Sequence, residues 1–219
     1  MTMGYLIIPA VLLLAGLLYS ERLQSMKGIF STKPVLSALF ILVALVQPHP
    51  LPGFFLYILA GLVLCMAGDI FLAFRSRSMF QAGLVSFLLG HVFYCIAFFT
   101  TARFGTATWI VLVLSCALSY TIYSRLKPHL GTMLVPVVAY IVIITVMVIG
   151  AANVLGDSSL ALGGRLMVFV GAVSFYISDI FVARNRFVKQ EFFNRALGLP
   201  LYYLGQFLIA FSLGQLVSL

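Results

Sequence analysis

Charged residues are scarce in this 219-residue chain, and acidic residues are the rarest of them. Only 8% of the residues are charged, whereas a typical soluble domain has roughly 25%. Hydrophobic residues make up 63% of the chain, and its mean hydropathy is +1.17. The segments of alternating polarity that are typical of a membrane β-barrel are absent. The composition therefore predicts an all-α, polytopic transmembrane protein without a soluble domain.

Cysteine and histidine are also rare, with three residues of each. Cys65, Cys95 and Cys116 all lie inside apolar runs, and their spacing fits neither a disulfide framework nor a metal motif. A tetrahedral zinc site needs about four convergent ligands. His49 and His129, however, fall in predicted loops on opposite faces of the membrane. We therefore expect no metal and no other cofactor.

Cations outnumber acidic residues, and the net charge is +8. They cluster between apolar runs, where lipid headgroups and insertion topology account for them, so nucleic-acid binding is not predicted. The first apolar run begins at Gly4 with no basic segment before it, and we expect it to be a retained span rather than a cleaved signal peptide. A bacterial inner membrane is the expected location, and the oligomeric state is left open.

Eight apolar runs predict one integral-membrane domain over residues 1–219, folded as a bundle of eight transmembrane helices. Pro34 would lie in the first turn of the second helix, a position that favours proline. The expected spans are 4–20, 34–46, 54–74, 79–101, 106–123, 133–154, 162–183 and 199–217.

The basic residues are distributed unequally between the two ends of the predicted bundle. Only Arg103 and Arg165 follow an even-numbered span. By the positive-inside rule, the segments after the odd-numbered spans face the cytoplasm and both termini lie on the opposite side. Those four segments hold 11 of the 13 Lys and Arg residues: Arg22, Lys27, Lys33, Arg75, Arg77, Arg125, Lys127, Arg184, Arg186, Lys189 and Arg195.

Two of the five acidic residues, Asp69 and Asp179, lie inside apolar runs. A carboxylate in hydrocarbon costs about 2.5–3.5 kcal/mol on insertion scales. Asp69 precedes Arg75 by six residues and Asp179 precedes Arg184 by five, so both lie roughly 8–9 Å inside the cytoplasmic edge. We interpret them as an acid/base pair with one carboxyl protonated and the other ionised. Contacts between helices, or ion pairs with the adjacent arginines, are the alternatives.

The two aspartate segments belong to a wider internal similarity. Residues 178–181 resemble 68–71, and residues 202–206 resemble 87–91, at offsets of 110 and 115. Duplication of a four-helix unit in parallel orientation would explain both similarities. Chance similarity within a mostly apolar alphabet is the alternative.

Other polar residues recur on common helical faces. His91 and Tyr94 are three residues apart in the fourth span, as are Tyr203 and Gln206 in the eighth. Ser178 immediately precedes the second aspartate. These stripes predict one shared interior cavity. For His91, a hydrogen-bonded core histidine is the alternative interpretation.

Six short segments carry a resemblance to a known family. They are Lys33-Pro34, Gly68–Leu72, Phe87–Tyr94, Pro136 with Tyr140, Gly171 followed by Phe175–Asp179, and Tyr202–Gln206. Their ordered set covers nearly the whole chain and resembles the YhhN-type lysoplasmalogenase family. Gly90 is a small departure, since alanine is more usual there.

This resemblance implies hydrolysis of the vinyl ether bond of a lysoplasmalogen, with a lysophospholipid as the substrate. The substrate phosphate is expected near the cytoplasmic mouth, where Lys33 or an arginine of the segments after the odd-numbered spans would bind it. For Lys33, an ordinary anchor at the membrane surface is the alternative. A small proton-coupled transporter that uses the aspartates as a relay is the competing function. The candidate catalytic residues are Asp69 and Asp179, and the candidate binding or orienting residues are Lys33, His91, Tyr94, Tyr140, Ser178, Tyr203 and Gln206.

Overall fold

The computed structural model describes residues 4–74 and 76–217, apart from the side chain of Ala107. Arg75, one of the predicted loop cations, lies outside the described residues. The described chain contains no strand, which confirms the all-α class. The helices are α1 (Gly4–Arg22), α2 (Met26–Val46), α3 (Pro52–Ala73), α4 (Arg77–Thr101), α5 (Thr106–Leu130), α6 (Leu134–Gly156), α7 (Leu162–Ala183) and α8 (Phe192–Ser212).

Six described segments are long and apolar enough to cross a membrane. One of them, Thr108–Gly156, covers both α5 and α6 because a 3₁₀ turn at Gly131–Met133 joins these helices without a loop. α8 is not among the six. The chain is therefore a multi-pass membrane protein by length and composition, but the predicted count of eight spans is not confirmed.

Several helices extend beyond the predicted apolar spans. α2 begins at Met26, so Pro34 lies within the helix and not in its first turn, which corrects that prediction. Ser25 caps this helix by accepting a hydrogen bond from the Gly28 amide. α5 likewise continues to Leu130. Charged and polar turns are compatible with a helix, so the edge of an apolar run is not the helix end.

α5 and α6 form an antiparallel hairpin around Gly131. Thr108 donates a hydrogen bond to Asn153, far from the turn in both helices. Ser119 and Thr145, which are closer to the turn in sequence, are joined by a hydrogen bond of 2.6 Å, so the two helices run antiparallel. Gly131 has φ +49° and ψ −124°, a conformation that glycine adopts readily because it has no Cβ.

Close glycine contacts join α3 to α4 and α7 to α8. A Cβ added to Gly61 would lie 3.0 Å from the carbonyl oxygen of Gly90, and one added to Gly90 would lie 3.1 Å from that of Gly61. Gly171 and Gly205 make the same reciprocal contact, at 3.0 and 2.8 Å. The second pair follows the first at offsets of 110 and 115 residues, the same offsets as the sequence similarity.

Large apolar side chains cover much of the outer surface. A water-soluble protein rarely exposes apolar area on this scale, so the surface is suited to lipid. The side chains with the greatest exposure include Tyr5, Ile8, Leu12, Trp109, Leu114, Tyr120 and Val135.

One end of the bundle carries most of the cations, and we call it the basic end. Here α1 leads into α2, α3 into α4, α5 into α6, and α7 into α8. A π-helical turn, Arg184–Val188, follows α7 at this end. Arg77 donates to Thr132 at 2.6 Å, and Arg195 lies 3.7 Å from Glu21, so side chains connect neighbouring turns.

We predict that Gly205→Ala lowers the thermal stability of the protein in detergent. The new methyl group would lie 2.8 Å from the Gly171 carbonyl oxygen and force α7 and α8 apart, at a cost of about 1–3 kcal/mol. Gly163→Ala on α7 is the matched control, because no atom lies within 4 Å of the added Cβ. Equal stability of the two variants would contradict the close packing.

Candidate functional site

A cavity of about 100 Å³ lies inside the bundle, with walls that are mostly apolar. Apart from Tyr202, the central residue of α8, every lining residue belongs to the half of its helix nearest the basic end or to the π-helical turn. The cavity therefore extends from the basic end towards the membrane interior and does not reach the opposite half. Five of the predicted site residues line it: Lys33, Asp69, Tyr140, Ser178 and Asp179.

Asp69 is almost fully buried, and polar groups from two other helices surround its carboxyl group. Lys33 Nζ lies 3.1 Å from Oδ1, and both side chains are at most 4% exposed. Ser37 Oγ donates to Oδ2 at 2.6 Å, and the Tyr202 hydroxyl donates to the same oxygen at 2.5 Å. A buried carboxylate needs this number of partners to offset its desolvation.

Lys33 is therefore neither a loop residue nor a surface anchor, which corrects that interpretation. It lies one turn before Ser37 on α2, and both residues face Asp69 on α3. An i, i+4 pair projects from one side of a helix, so α2 presents an ammonium and a hydroxyl group to the same carboxyl group.

A second layer of polar side chains supports these contacts from behind the cavity wall. Gln206 Nε2 donates to the Tyr202 hydroxyl at 3.3 Å, and Gln206 Oε1 accepts from the Tyr94 hydroxyl at 2.7 Å. The Tyr203 hydroxyl lies 3.4 Å from Ser37 Oγ. Tyr94, Tyr203 and Gln206 are thus brought to the site, but they do not line the cavity.

Asp179 has a simpler environment than Asp69. Its side chain is partly buried at the cavity wall, and the Tyr140 hydroxyl on α6 donates to Oδ2 at 2.6 Å. Among the described residues, no cation lies within 4 Å of this carboxyl group. Arg184, which was considered as an ion-pair partner, binds Asn194 and Glu191 instead.

Ser178 also lines the cavity, but its hydroxyl group is occupied. Its Oγ donates to the Gly198 carbonyl oxygen at 2.8 Å, which joins α7 to α8. Ser178 therefore stabilises the packing of α7 against α8 next to Asp179.

His91 is completely buried between aromatic rings. Its ring centroid lies 4.5 Å from that of Phe175 and 5.3 Å from that of Tyr140, in edge-to-face arrangements. Neither imidazole nitrogen has a hydrogen-bond partner among the described residues, so the alternative of a hydrogen-bonded core histidine is wrong. His91 thus contacts the ring that holds Asp179 and touches neither carboxyl group itself. Among the described residues, no group of three or more His, Cys, Asp or Glu side chains lies close enough together to hold a metal ion.

Sequence reasoning missed several residues at this site. Ser37 could have been found from its i, i+4 spacing to Lys33. The sequence indicated Tyr202 as a buried polar residue. Only the structure shows that the Tyr202 hydroxyl binds Asp69 directly, whereas the Tyr203 hydroxyl lies against Ser37. Asn185 and Arg195 also line the cavity near the basic end. The sequence indicated an arginine of this end as a phosphate ligand without distinguishing which one, and it gave no signal for Asn185.

We predict that Lys33→Met destabilises the protein by about 3–5 kcal/mol, because it leaves the Asp69 carboxylate without its buried counter-charge. Adding Asp69→Asn should restore part of this loss, since it removes the uncompensated charge. Thermal unfolding in detergent measures both effects. Lys27→Met is the control, because Lys27 is exposed on the same helix; an equal effect of both lysine variants would contradict the prediction.

Comparison with known proteins places this chain in a family. The YhhN family model matches residues 29–213. Lysoplasmalogenase TMEM86A of Homo sapiens is 33% identical over 161 residues, which is 71% of this chain and 64% of that protein. The Bos taurus protein of the same name is 31% identical over the same shares, so the chain spans slightly less than two thirds of each relative. No solved structure matches the chain significantly. Because the family model covers most of its length, the chain belongs to the YhhN family.

Proposed function

We propose that this protein hydrolyses the vinyl ether bond of lysoplasmalogens. The products would be a fatty aldehyde and glycerophosphoethanolamine or glycerophosphocholine. The observation that carries the proposal is that two carboxyl groups on separate helices, Asp69 and Asp179, line one mostly apolar cavity. The names of the two relatives support the same activity.

The surroundings of the two carboxyl groups suggest different roles. Asp69 accepts two hydrogen bonds and forms an ion pair with the Lys33 ammonium, which are the partners that a buried carboxylate needs. Asp179 receives one hydrogen bond, from Tyr140, and lies beside apolar walls that favour the neutral form. We therefore assign Asp179 as the general acid and Asp69 as the general base.

The reaction then closes as a proton cycle. Asp179 protonates the β-carbon of the vinyl ether, and the positive charge moves to an oxocarbenium ion that Asp69 stabilises. A water molecule adds to the cation and gives one proton to Asp69. The product of this addition is a hemiacetal. Asp69 next protonates the glycerol oxygen as the C–O bond breaks, while Asp179 takes the hemiacetal hydroxyl proton. Both groups return to their starting states without a cofactor.

We infer that all eight helices cross the membrane with the basic end in the cytoplasm. α8 packs against α1, α2 and α7 within the bundle, and its buried Tyr202, Tyr203 and Gln206 lower its hydropathy without exposing it to water. The recurring glycine contacts favour two parallel four-helix repeats. A bacterial inner membrane agrees with this orientation.

The one-ended cavity favours an enzyme over the proton-coupled transporter. A transporter needs access to its site from each face, whereas the residues of this cavity extend from the basic end no further than Tyr202 at the middle of α8. A hydrolase needs entry for one lipid and one water molecule from one side only.

The proposed activity predicts that purified protein releases aldehyde from a lysoplasmalogen, and that Asp69→Asn and Asp179→Asn each reduce this release at least about 100-fold. Asparagine keeps the shape of the side chain but cannot exchange the required proton. Asp157→Asn, between α6 and α7, is the matched control and should remain active. In D₂O, one deuterium should appear on the aldehyde carbon next to the carbonyl. Absence of aldehyde with the unmodified protein would refute the proposed function.

The assignment of Asp179 as the acid predicts that Tyr140→Phe lowers kcat about tenfold with little change in KM, because one hydrogen bond that orients the acid is lost. Tyr176→Phe should change kcat much less, since its hydroxyl binds Ser119 rather than a carboxyl group. Steady-state kinetics on both variants make the comparison, and equal effects would argue against the role given to Tyr140.

A further inference from the structure

Only two of the cations in the described part of the chain line the cavity, and they are in different situations. Lys33 is bound to Asp69 at 3.1 Å deep inside the bundle. Arg195 lies near the basic end, and the one acidic partner it has is Glu21, at 3.7 Å from Nε. A guanidinium group presents five N–H donors, and this single long contact leaves most of them for a ligand.

The neighbouring basic residues at this end are already engaged. Arg184 binds Asn194 and Glu191, and Lys189 binds Glu191 as well. Arg186 lies over the Phe80 ring, 4.3 Å from its centroid. Arg195 is therefore the cation at the mouth of the cavity that is best placed to bind an anion.

Asn185, which lines the same cavity as Arg195, supplies a second donor. Its side-chain oxygen accepts from the Glu191 amide at 3.1 Å and from Asn194 Nδ2 at 3.3 Å, which fixes the orientation of the amide group. No described residue accepts a hydrogen bond from Asn185 Nδ2, and Asn185 lines the cavity. The π-helical turn that holds Asn185 is a type of distortion that is frequent at functional sites.

The spacing along the helices fits a lysophospholipid. Asn185 follows Asp179 by six residues and Arg195 precedes Tyr202 by seven, so each donor lies roughly 9–10 Å from the level of the carboxyl groups. In a lysoplasmalogen, seven covalent bonds separate the phosphorus from the carbon that is protonated. These bonds reach about 9 Å when extended, so the phosphate and the reacting carbon can occupy both levels together.

We propose that Arg195 and Asn185 form a phosphate subsite that binds the phosphodiester of the lysophospholipid while its vinyl ether lies between the two aspartates. The subsite rests on the proposed function for its substrate, but it can be tested by binding alone. Arginine suits this role because its planar donors match phosphate oxygens in pairs.

The test compares two ligands that the enzyme cannot hydrolyse, a 1-O-alkyl glycerophosphocholine and the matching 1-O-alkyl glycerol, on the full-length protein in nanodiscs. Arg195→Gln should weaken binding of the phospholipid roughly 10- to 100-fold and leave binding of the alkyl glycerol unchanged. Asn185→Ala should act in the same direction with a smaller effect. Equal affinities of the unmodified protein for both ligands, or no loss with Arg195→Gln, would overturn the subsite.

Two control variants separate this role from simpler ones. Arg125→Gln removes an exposed cation outside the cavity, at the same end of the bundle, and should leave the affinity unchanged. Glu21→Gln breaks the contact between α1 and α8 but keeps Arg195, so it should retain affinity for the phospholipid; a loss equal to that of Arg195→Gln would assign Arg195 to packing. Strong competition by inorganic phosphate would assign the site to a free anion and overturn the proposal.

Activity measurements distinguish failure of the subsite from failure of the reaction. If the subsite is correct, Arg195→Gln should raise KM for the lysoplasmalogen about as much as it weakens analogue binding, with kcat nearly unchanged. Selective phospholipid binding without aldehyde release would refute the hydrolase and keep the subsite. Aldehyde release that does not depend on Arg195 would refute the subsite and keep the hydrolase.

Discussion

The ion pair between Lys33 and Asp69 is the interaction on which the rest of the site depends. Burying two isolated charges costs several kcal/mol for each ion, so the pair persists only with good geometry and further hydrogen bonds. Ser37 supplies one from the same helix as the lysine, and Tyr202 supplies another from α8. Gln206 then connects Tyr202 to α4 through Tyr94. Satisfying a single carboxylate thereby fixes the relative positions of four helices.

The two aspartates lie on similar scaffolds but in different chemical surroundings. Equivalent glycine contacts pack α3 on α4 and α7 on α8, and each aspartate lies on the first helix of its pair. The difference comes from the neighbouring helix, because α2 offers Lys33 to Asp69 and α6 offers Tyr140 to Asp179. In the proposed mechanism this difference holds one carboxyl group as an anion and the other as an acid, which two identical environments could not do.

The sequence was sufficient to predict the helical class and to single out Asp69 and Asp179, which line one cavity, because a charge in an apolar run stands out against its neighbours. It was insufficient for the partner of Asp69. Lys33 precedes Pro34 at the edge of an apolar run and therefore resembled a surface anchor, although the helix begins seven residues earlier at Met26. Adjacent residues on a helix point about 100° apart, so choosing Tyr202 over Tyr203 required the rotation of α8, which only packing determines.

The proposed roles also follow from the unequal demands of the two chemical steps. Protonation of carbon is difficult and needs an acid that still holds its proton near the working pH. Water adds readily to an oxocarbenium ion, so a carboxylate that is held by Lys33, Ser37 and Tyr202 is adequate as the proposed base. The position with an ion pair and two hydrogen bonds thus suits the proposed base, Asp69, and the position with one hydrogen bond suits the proposed acid, Asp179. Exchanging these surroundings would place the proposed acid beside the Lys33 ammonium, where the carbon-protonation step would lose its proton source.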